Sequence, residues 1–336
     1  MDTRAPDFGL VFDLLTGYQR TATIKAAIEL DVFTAIGEGA DTVEALAARC
    51  AAAPRGVRSL ANSLTALGLL EKSGDRYRLG ATAAAFLDRR SPTYAGSAVH
   101  FIGSPMIAAA FATLTDAVRN GGTAIPDDGT LAPEHPAWVE FARHMAPLAG
   151  MTAQALAAVL EADRAPAWNV LDVAAGHGLF GITIAEQNRR TTVTALDWPN
   201  VLEVAKEFAR ARGVADRFRT LPGSAFDVDP GTGYDLVLLT NFLHHFDPPT
   251  CETLLGRMHR ALAPGGRVAI VEFVPNEDRV SPREAATFSL VMLASTPAGD
   301  VYTFGEYEQM LRAAGFSDAR LHALDPMPQQ FVIATR

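Results

Sequence analysis

Residues 168–185 read WNVLDVAAGHGLFGITIA, and residues 192–197 read TVTALD. In the first stretch, the apolar run from Val170 to Val173 predicts a β-strand that is buried on both faces. Gly176 and Gly178 allow the backbone to turn sharply after this strand, and the apolar segment that follows predicts a helix. The second stretch predicts another strand, which ends in an acid. The order of strand, glycine turn, helix and strand decides the fold of this half of the chain.

This arrangement suits the binding of a nucleotide. A ligand can approach the glycines closely, and the start of the helix offers unpaired backbone N–H groups. Asp197 closes the second strand, where a carboxylate can accept hydrogen bonds from both hydroxyls of a ribose. Two cofactor classes fit. Residues 176–181 satisfy the dinucleotide pattern G-x-G-x-x-G, whereas Asp172 within LDVAAGHG resembles the first motif of class I S-adenosylmethionine-dependent methyltransferases.

The composition is that of a globular protein. The chain has 336 residues, 49% of them hydrophobic, and a formal net charge of -9. The negative charge and the lack of a dense Lys/Arg run argue against nucleic-acid binding. Cys50 and Cys251 lie far apart, which excludes a disulfide framework and a cysteine zinc cluster and favours a cytoplasmic location. No signal sequence or membrane-spanning apolar run is visible, so no membrane partner is expected.

Residues 1–95 predict a winged-helix-like domain. The expected elements are helices within residues 10–36, a helix capped by Asp41 or Thr42, a helix over 54–64 and a hairpin over 69–79. A winged helix often binds DNA, but the second helix offers only Arg55 and Arg58, too few basic residues for phosphate contacts. Alanine-rich helices between Thr21 and Ala35 favour dimerisation instead.

Residues 96–165 predict a helical linker that contributes to the substrate pocket, interrupted by a loop at 121–136. From residue 166 to 336, strands and helices alternate, which predicts an α/β domain with a Rossmann-like, doubly wound, mostly parallel seven-stranded sheet. The strands expected to be parallel are Val170–Val173, Thr192–Leu196, Phe218–Leu221, Tyr234–Thr240 and Arg267–Phe273.

The chain ends in two predicted strands, residues 318–324 and 329–335, joined by a tight loop at 325–328. Such a hairpin places one antiparallel strand in the sheet. This strand is typical of the class I methyltransferase sheet and is not expected in a dinucleotide-binding fold.

Six short motifs follow one another along the chain. They are LDVAAGHG (171–178), DWPNV (197–201), GSAF (223–226), NFLHHF (241–246), PGG (264–266) and VE (271–272). Together with the winged-helix-like start, they resemble the dimeric small-molecule O-methyltransferases of the caffeate/hydroxyneurosporene type. The resemblance covers nearly the whole chain and implies a homodimer that uses S-adenosylmethionine.

The resemblance also implies a set of cofactor-binding residues. They are Asp172, Gly176, Gly178, Asp197, Trp198, Ser224, Ala225, Phe226 and Thr240. Gly176 and Gly178 would line the methionine part of the cofactor, and Asp197 would hold the ribose. Many members of the family have an acid where this chain has Ser224, so we expect the adenine contact to be made differently here.

By the same resemblance, His244 is the general base and Glu272 is one of two acids that flank it. A neutral imidazole can remove the acceptor's proton while the methyl group is displaced in line, and a carboxylate can orient the ring. The second acid would fall at Val301, which is a departure from the family. Either Glu272 suffices, or Asp300 substitutes, or the acceptor is a thiol, a carboxylate or an acidic phenol that needs little help.

The substrate-binding candidates are Phe141, Met145, Asn241, His245 and Met292, and weaker candidates are Phe101, Met106, Phe288 and Thr296. Methionine adapts to flat or irregular ligands. Apolar residues at helical spacing are equally consistent with a structural core.

We therefore expect a cytoplasmic, homodimeric methyltransferase that transfers a methyl group from S-adenosylmethionine to a hydroxyl of a small aromatic or secondary-metabolite substrate, without a metal. Four alternatives stay open from the sequence. They are S-, N- or C-methylation, a non-methylating reaction that retains the cofactor, a ligand-responsive DNA-binding regulator, and a nicotinamide dehydrogenase.

Overall fold

The computed structural model describes residues 6–126, 132, 134–323 and 328–336. The chain divides into two compact units, of which the first ends at Ser104 and the second begins at Pro105. The expected division into three segments at residues 95 and 165 stays a prediction.

The first unit contains short helices followed by a hairpin and further helical turns. Its elements are α1 (Phe8–Leu15), α2 (Gly17–Glu29), α3 (Val32–Gly37), α4 (Val43–Arg49), α5 (Pro54–Ala66), β1 (Leu70–Ser73), β2 (Arg76–Leu79), α6 (Ala81–Phe86) and α7 (Val99–Ile102). Thr42 caps α4, because its hydroxyl accepts a hydrogen bond from the Ala45 N–H at 3.3 Å. Asp41 instead pairs with Arg76 at 2.6 Å.

The second unit begins with helices and continues as an alternating α/β domain. Its helices are α8 (Pro105–Ala112), α9 (Leu114–Asn120), α10 (Pro136–Val159), α11 (Leu179–Gln187), α12 (Pro199–Ala211), α13 (Pro248–Ala261), α14 (Arg283–Ser295) and α15 (Phe304–Ala313). Part of the predicted loop at 121–136, namely 127–131 and 133, lies outside the described residues. None of the helices in the described ranges is long and apolar enough to cross a membrane.

The strands of the second unit are β3 (Asn169–Val173), β4 (Thr192–Asp197), β5 (Phe218–Pro222), β6 (Tyr234–Thr240), β7 (Leu262–Glu272), β8 (Ser317–His322) and β9 (Gln330–Thr335). Within the described residues they form one seven-stranded sheet in the order β5-β4-β3-β6-β7-β9-β8. Neighbours from β5 to β7 are parallel, and β9 is antiparallel to both β7 and β8. The predicted mostly parallel sheet with an antiparallel terminal hairpin is confirmed.

Several strand ends differ from the sequence prediction by one residue, and two boundaries differ by more. β7 begins at Leu262 rather than Arg267, because Leu262 pairs with Tyr234 before an irregularity in the register. β8 ends at His322, and residues 324–327, which carry the end of the predicted strand and most of the predicted loop, lie outside the described residues.

Both faces of the sheet are covered. One face packs Val170, Leu236 and Leu238 against α10, α11 and α12, and the other packs Leu171 and Val237 against α13 and α15. Because β3, β4, β6 and β7 are parallel, their carboxyl ends meet at one edge, where open α/β sheets bind ligands.

Candidate active site

The turn after β3, residues 174–178, is called here the glycine turn. Ala174, Gly176 and Gly178 have φ of 51°, 57° and 71°, in the left-handed region. A Cβ on Gly178 would lie 3.1 Å from Phe218 and 3.2 Å from Ala205, so packing requires glycine there. A Cβ on Gly176 would meet nothing closer than Phe141, at 3.8 Å. The backbone of Gly176 therefore borders open space, and it is called here the open floor.

Asp197 joins the end of β4 to the glycine turn. Its Oδ2 accepts the Gly176 N–H at 2.8 Å, and its Oδ1 accepts the Trp198 N–H at 2.6 Å. Burial raises the pKa of Asp197 to about 6, against the lowering effect of the two N–H groups. Each oxygen keeps a further acceptor position, and the carboxylate is half-buried beside the open floor at Gly176. This geometry fits a ribose diol bound against the turn.

Asp172 lies beneath the glycine turn and is fully buried. Its Oδ2 accepts the Gly181 N–H at 3.1 Å, whereas its Oδ1 has no hydrogen-bond partner among the described residues. Burial, with a smaller contribution from Asp197, raises the pKa of Asp172 to about 7. Asp172 therefore braces the start of α11 from inside the protein.

The segment predicted to contact adenine lies at the same edge. The Gly223 N–H donates to the Asp197 carbonyl at 2.9 Å, and Ser224 Oγ accepts the Phe226 N–H at 3.1 Å. Ala225 is buried, and the Phe226 ring contacts Phe246 edge to face at 5.0 Å. Thr240, the last residue of β6, is also buried.

The turn after β6, residues 241–246, is called here the histidine turn. His244 and Glu272 are both buried, and His244 Nδ1 lies 2.5 Å from Glu272 Oε2. Glu272 Oε1 accepts the Phe242 N–H at 2.9 Å and the His244 N–H at 3.4 Å. One carboxylate therefore fixes both the ring and the backbone of His244. Because an ionised carboxylate only accepts hydrogen bonds, Nδ1 carries the proton and Nε2 is left as an acceptor.

His245 follows directly, with its ring centroid 4.4 Å from that of His244. It is buried, and its Nδ1 has no hydrogen-bond partner among the described residues. Burial, and secondarily the neighbouring His244, lowers the pKa of His245 well below its ordinary value, so the ring is neutral. The ring also contacts Trp138 edge to face at 5.2 Å.

Asn241 begins the histidine turn with φ of 52°. Its Oδ1 accepts the Gln329 Nε2–H at 2.9 Å, and Gln329 Oε1 in turn accepts the Thr152 hydroxyl at 3.2 Å. The Asn241 side chain is thus oriented by Gln329, which precedes β9, and Gln329 is held in turn by Thr152 on α10.

Aromatic side chains surround the two turns. Phe141 lies over Gly176 and stacks with His177 at 6.4 Å, and Phe288 contacts the His244 ring edge to face at 5.0 Å. Met292 is buried one helical turn after Phe288, and Met145 is half-buried on α10. Of the weaker candidates, Phe101 belongs to the first unit, Met106 lies on α8, and Thr296 is buried with its hydroxyl bonded to the Met292 carbonyl at 2.7 Å.

Sequence reasoning missed Trp138, although its position three residues before Phe141 on one helix was an available signal. It also missed Gln329, whose contact with Asn241 spans 88 residues and has no local signal.

Asp300 is engaged elsewhere. Its Oδ1 accepts the Ser289 hydroxyl at 2.7 Å and the Val301 N–H at 2.8 Å, and its Oδ2 lies 3.5 Å from Arg279. In the described part of the chain, Glu272 is the carboxylate that holds the His244 ring. No cluster of three or more His, Cys, Asp or Glu residues suited to a metal occurs within the described ranges.

Comparison with known proteins places this geometry in context. A family model described as the O-methyltransferase domain matches residues 135–317, and one described as the O-methyltransferase dimerisation domain matches residues 12–89. A curated relative, the 3-hydroxy-5-methyl-1-naphthoate 3-O-methyltransferase of Streptomyces sahachiroi, is 33% identical over 314 residues, covering 93% of this chain and 90% of the relative.

Solved structures agree. One from Nostoc punctiforme, provisionally assigned as an O-methyltransferase, is 50% identical with a TM-score of 0.95 and covers 99% of this chain and 100% of that one. Human N-acetylserotonin methyltransferase in complex with SAM is 24% identical with a TM-score of 0.87 over 100% and 99% of the two chains, which supports the fold.

Proposed function

This chain belongs to the S-adenosylmethionine-dependent O-methyltransferase family with a dimerisation domain, and from that premise we propose that it methylates a hydroxyl of a small aromatic or secondary-metabolite substrate with His244 as the general base. The cofactor is S-adenosylmethionine, so the glycine motif does not serve a nicotinamide dinucleotide.

The observation that carries the proposal is the contact between His244 Nδ1 and Glu272 Oε2 at 2.5 Å. It leaves His244 Nε2 as a proton acceptor at the ligand-binding edge of the sheet. When bound, S-adenosylmethionine supplies a methyl group activated by its sulfonium charge. His244 then takes the proton of the substrate hydroxyl, and the Glu272 carboxylate stabilises the imidazolium that results.

The cofactor residues divide by position. Asp197 would hold the ribose, Gly176 would allow close approach of the methionine part, and the segment from Ser224 to Phe226 would contact the adenine. Gly178 and Asp172 would act by shaping the turn, since their contacts lie inside the protein. Trp198 and Thr240, which adjoin these residues, complete the proposed set.

The substrate class rests on the side chains around the glycine turn and the histidine turn. Phe141, Phe288 and Met292 offer apolar and aromatic surface, which suits a flat ring. Met145 belongs to the proposed wall as well. The Streptomyces sahachiroi relative, by its name, methylates a hydroxynaphthoate, which supports an aromatic acceptor. Asn241 and the neutral His245 would bind polar groups of the substrate.

We extend the proposal to assembly and location. The exposed apolar residues of α1 include Phe8, Phe12 and Leu15, at 77%, 59% and 70% exposure, and a second copy of the chain would cover them. The matched dimerisation domain supports a homodimer. Both cysteines are free, which supports a reducing compartment such as the cytoplasm.

Mass spectrometry tests the proposed function. Purified protein is incubated with S-adenosylmethionine and a panel of phenols, thiols, carboxylic acids and amines, and both S-adenosylhomocysteine and the methylated product are measured. We expect a phenol to gain the methyl group. If the methyl group were found only on sulfur, nitrogen or carbon, the proposal of O-methylation would be replaced by S-, N- or C-methylation.

His244→Ala tests the base. We expect turnover of the phenol to fall roughly 100-fold or more while cofactor affinity is retained. His259→Ala is the matched control, because that histidine packs on Phe316 away from the two turns. Retained turnover in His244→Ala would remove the assignment.

A further inference from the structure

The histidine turn is held by side chains on both sides of its backbone. Glu272 takes the Phe242 and His244 N–H groups, as described above. Two further N–H groups bond within the turn, from His245 to the Phe242 carbonyl at 3.2 Å and from Phe246 to the Leu243 carbonyl at 3.1 Å, and the Asn241 N–H donates to the Val271 carbonyl at 2.8 Å. A carbonyl oxygen has two acceptor positions, so the carbonyl groups of Leu243 and Phe246 can take further partners that fix the far end of the turn.

Two side chains supply these partners. The Cys251 thiol on α13 donates to the Leu243 carbonyl at 3.2 Å, and also approaches the Phe246 carbonyl at 3.7 Å. The Tyr302 hydroxyl donates to the Phe246 carbonyl. Both side chains are buried, at 0% and 3% exposure.

Both groups are permanent donors. Burial raises the pKa of the Cys251 thiol to about 12 and the pKa of Tyr302 above its ordinary value. Each therefore keeps its proton across the range in which an enzyme works.

Tyr302 belongs to a loop that touches the histidine turn at a second point. A Cβ on Gly299 would lie 2.4 Å from the His244 carbonyl oxygen, so the two backbones are in direct contact there. This loop also contains Val301, the position where the family's second acid was expected. The loop contributes no acid to the His244 ring, and instead holds the backbone that carries the ring.

We propose that Tyr302 and Cys251 are positioning residues for His244, which lock the histidine turn so that Glu272 alone can orient the base. The inference rests on the proposed role of His244 but adds a requirement to it. A turn free to shift at Phe246 would let the His244 ring leave its bond to Glu272 and exchange between its two tautomers. Removing either donor therefore lowers the population of the competent base without touching the cofactor.

Tyr302→Phe tests the inference, with Tyr307→Phe as the matched control. Tyr307 is buried 5.8 Å from Tyr302, ring to ring, but its hydroxyl has no hydrogen-bond partner among the described residues. In protein labelled with ¹⁵N-histidine, the His244 ring is assigned by its loss in His244→Gln. We expect one Nδ1-protonated tautomer in the wild type and in Tyr307→Phe, and mixed or broadened His244 signals in Tyr302→Phe with unchanged His259 signals.

Turnover provides the second measurement. We expect Tyr302→Phe to lower kcat roughly 10-fold with an unchanged KM for S-adenosylmethionine, and Tyr307→Phe to stay within about twofold. Cys251→Ser retains a donor and should keep more activity than Cys251→Ala. An unchanged His244 tautomer and kcat in Tyr302→Phe, or equal losses in both tyrosine variants, would overturn the inference. Because the NMR measurement needs no methyl acceptor, it stands even if the proposed function fails.

Discussion

The glycine turn and the histidine turn lie at the carboxyl ends of neighbouring strands, β3 and β6, yet they are built in opposite ways. The glycine turn leaves open space at Gly176, has Ala174, Gly176 and Gly178 at left-handed φ, and is held by one side-chain carboxylate, that of Asp197. The histidine turn positions the buried side chain of His244, consists mostly of bulky residues, and is held from β7, α13 and the loop before α15. A turn that binds a ligand with its backbone needs open space beside it. A turn that positions a side chain needs hydrogen bonds from neighbouring elements, which are called here its anchors.

The largest effect is expected from replacing the hydrogen-bond acceptor at His244 Nδ1 by a donor. In Glu272→Gln, the amide oxygen can still accept the backbone N–H groups, but the amide N–H₂ then faces His244 Nδ1 and favours the tautomer with the proton on Nε2. We expect kcat to fall roughly 1,000-fold, because that tautomer cannot accept the substrate's proton. The binding of S-adenosylhomocysteine, measured by calorimetry, should stay unchanged. Turnover within tenfold of the wild type would show that Glu272 does not set the tautomer.

Alanine substitutions distinguish the glycine required for internal packing, Gly178, from the glycine expected to contact the cofactor, Gly176. Gly178→Ala adds crowding against Phe218 to the cost of a left-handed φ, so we expect about 3 kcal/mol of destabilisation, or roughly 6–12 °C in melting temperature. Gly176→Ala carries the φ cost of about 1 kcal/mol but should weaken S-adenosylhomocysteine binding more, since its Cβ points over the open floor. Equal melting losses in the two variants would contradict this division.

The pH dependence of cofactor binding tests the single carboxylate of the glycine turn. The pKa of Asp197 is raised to about 6, so the ribose acceptor is protonated as the pH falls below that value. We expect the Kd for S-adenosylhomocysteine to rise about tenfold between pH 7 and pH 5. Asp197→Asn should bind weakly, with a flatter profile over the same range. A wild-type Kd that is constant from pH 7 to 5 would argue against ribose binding by Asp197.

The smallest effect concerns the buried acid beneath the turn. The pKa of Asp172 is raised to about 7, so the folded protein holds this proton more tightly than the unfolded chain does. The free energy of unfolding therefore falls as the pH rises from about 4 to about 7, and stays lower above that. Asp172→Asn without cofactor should melt roughly 2–6 °C above the wild type at pH 8, with the advantage shrinking toward pH 5. A lower melting temperature at pH 8 would mean that the charge is stabilised by a partner.

The same contrast explains how much the sequence revealed. The glycine turn, β3, β4 and β6 were predicted because their signals are local: a doubly buried apolar run, glycines at fixed spacing, and an acid at a strand end. His244 and Glu272 followed from the family resemblance. Cys251 and Tyr302 were not predicted to hold the histidine turn, because the contact between Tyr302 and Phe246 spans 56 residues and depends on how the loop before α15 folds back. From the sequence, Val301 was interpreted as the loss of an acid. The structure shows that the adjacent residue, Tyr302, holds the histidine turn by a hydrogen bond to the Phe246 carbonyl.

The buried thiol of Cys251 also makes the histidine turn accessible to kinetic measurement. Alkylating reagents attack a thiolate, and a thiol with a pKa of about 12 and no exposed surface reacts only when its surroundings open. Cys50 is half-buried, so it should be modified first and serve as an internal reference. The slower labelling of Cys251 then measures the rate at which the histidine turn opens. A decrease in this rate on ligand binding would report how strongly a bound molecule holds His244 in place.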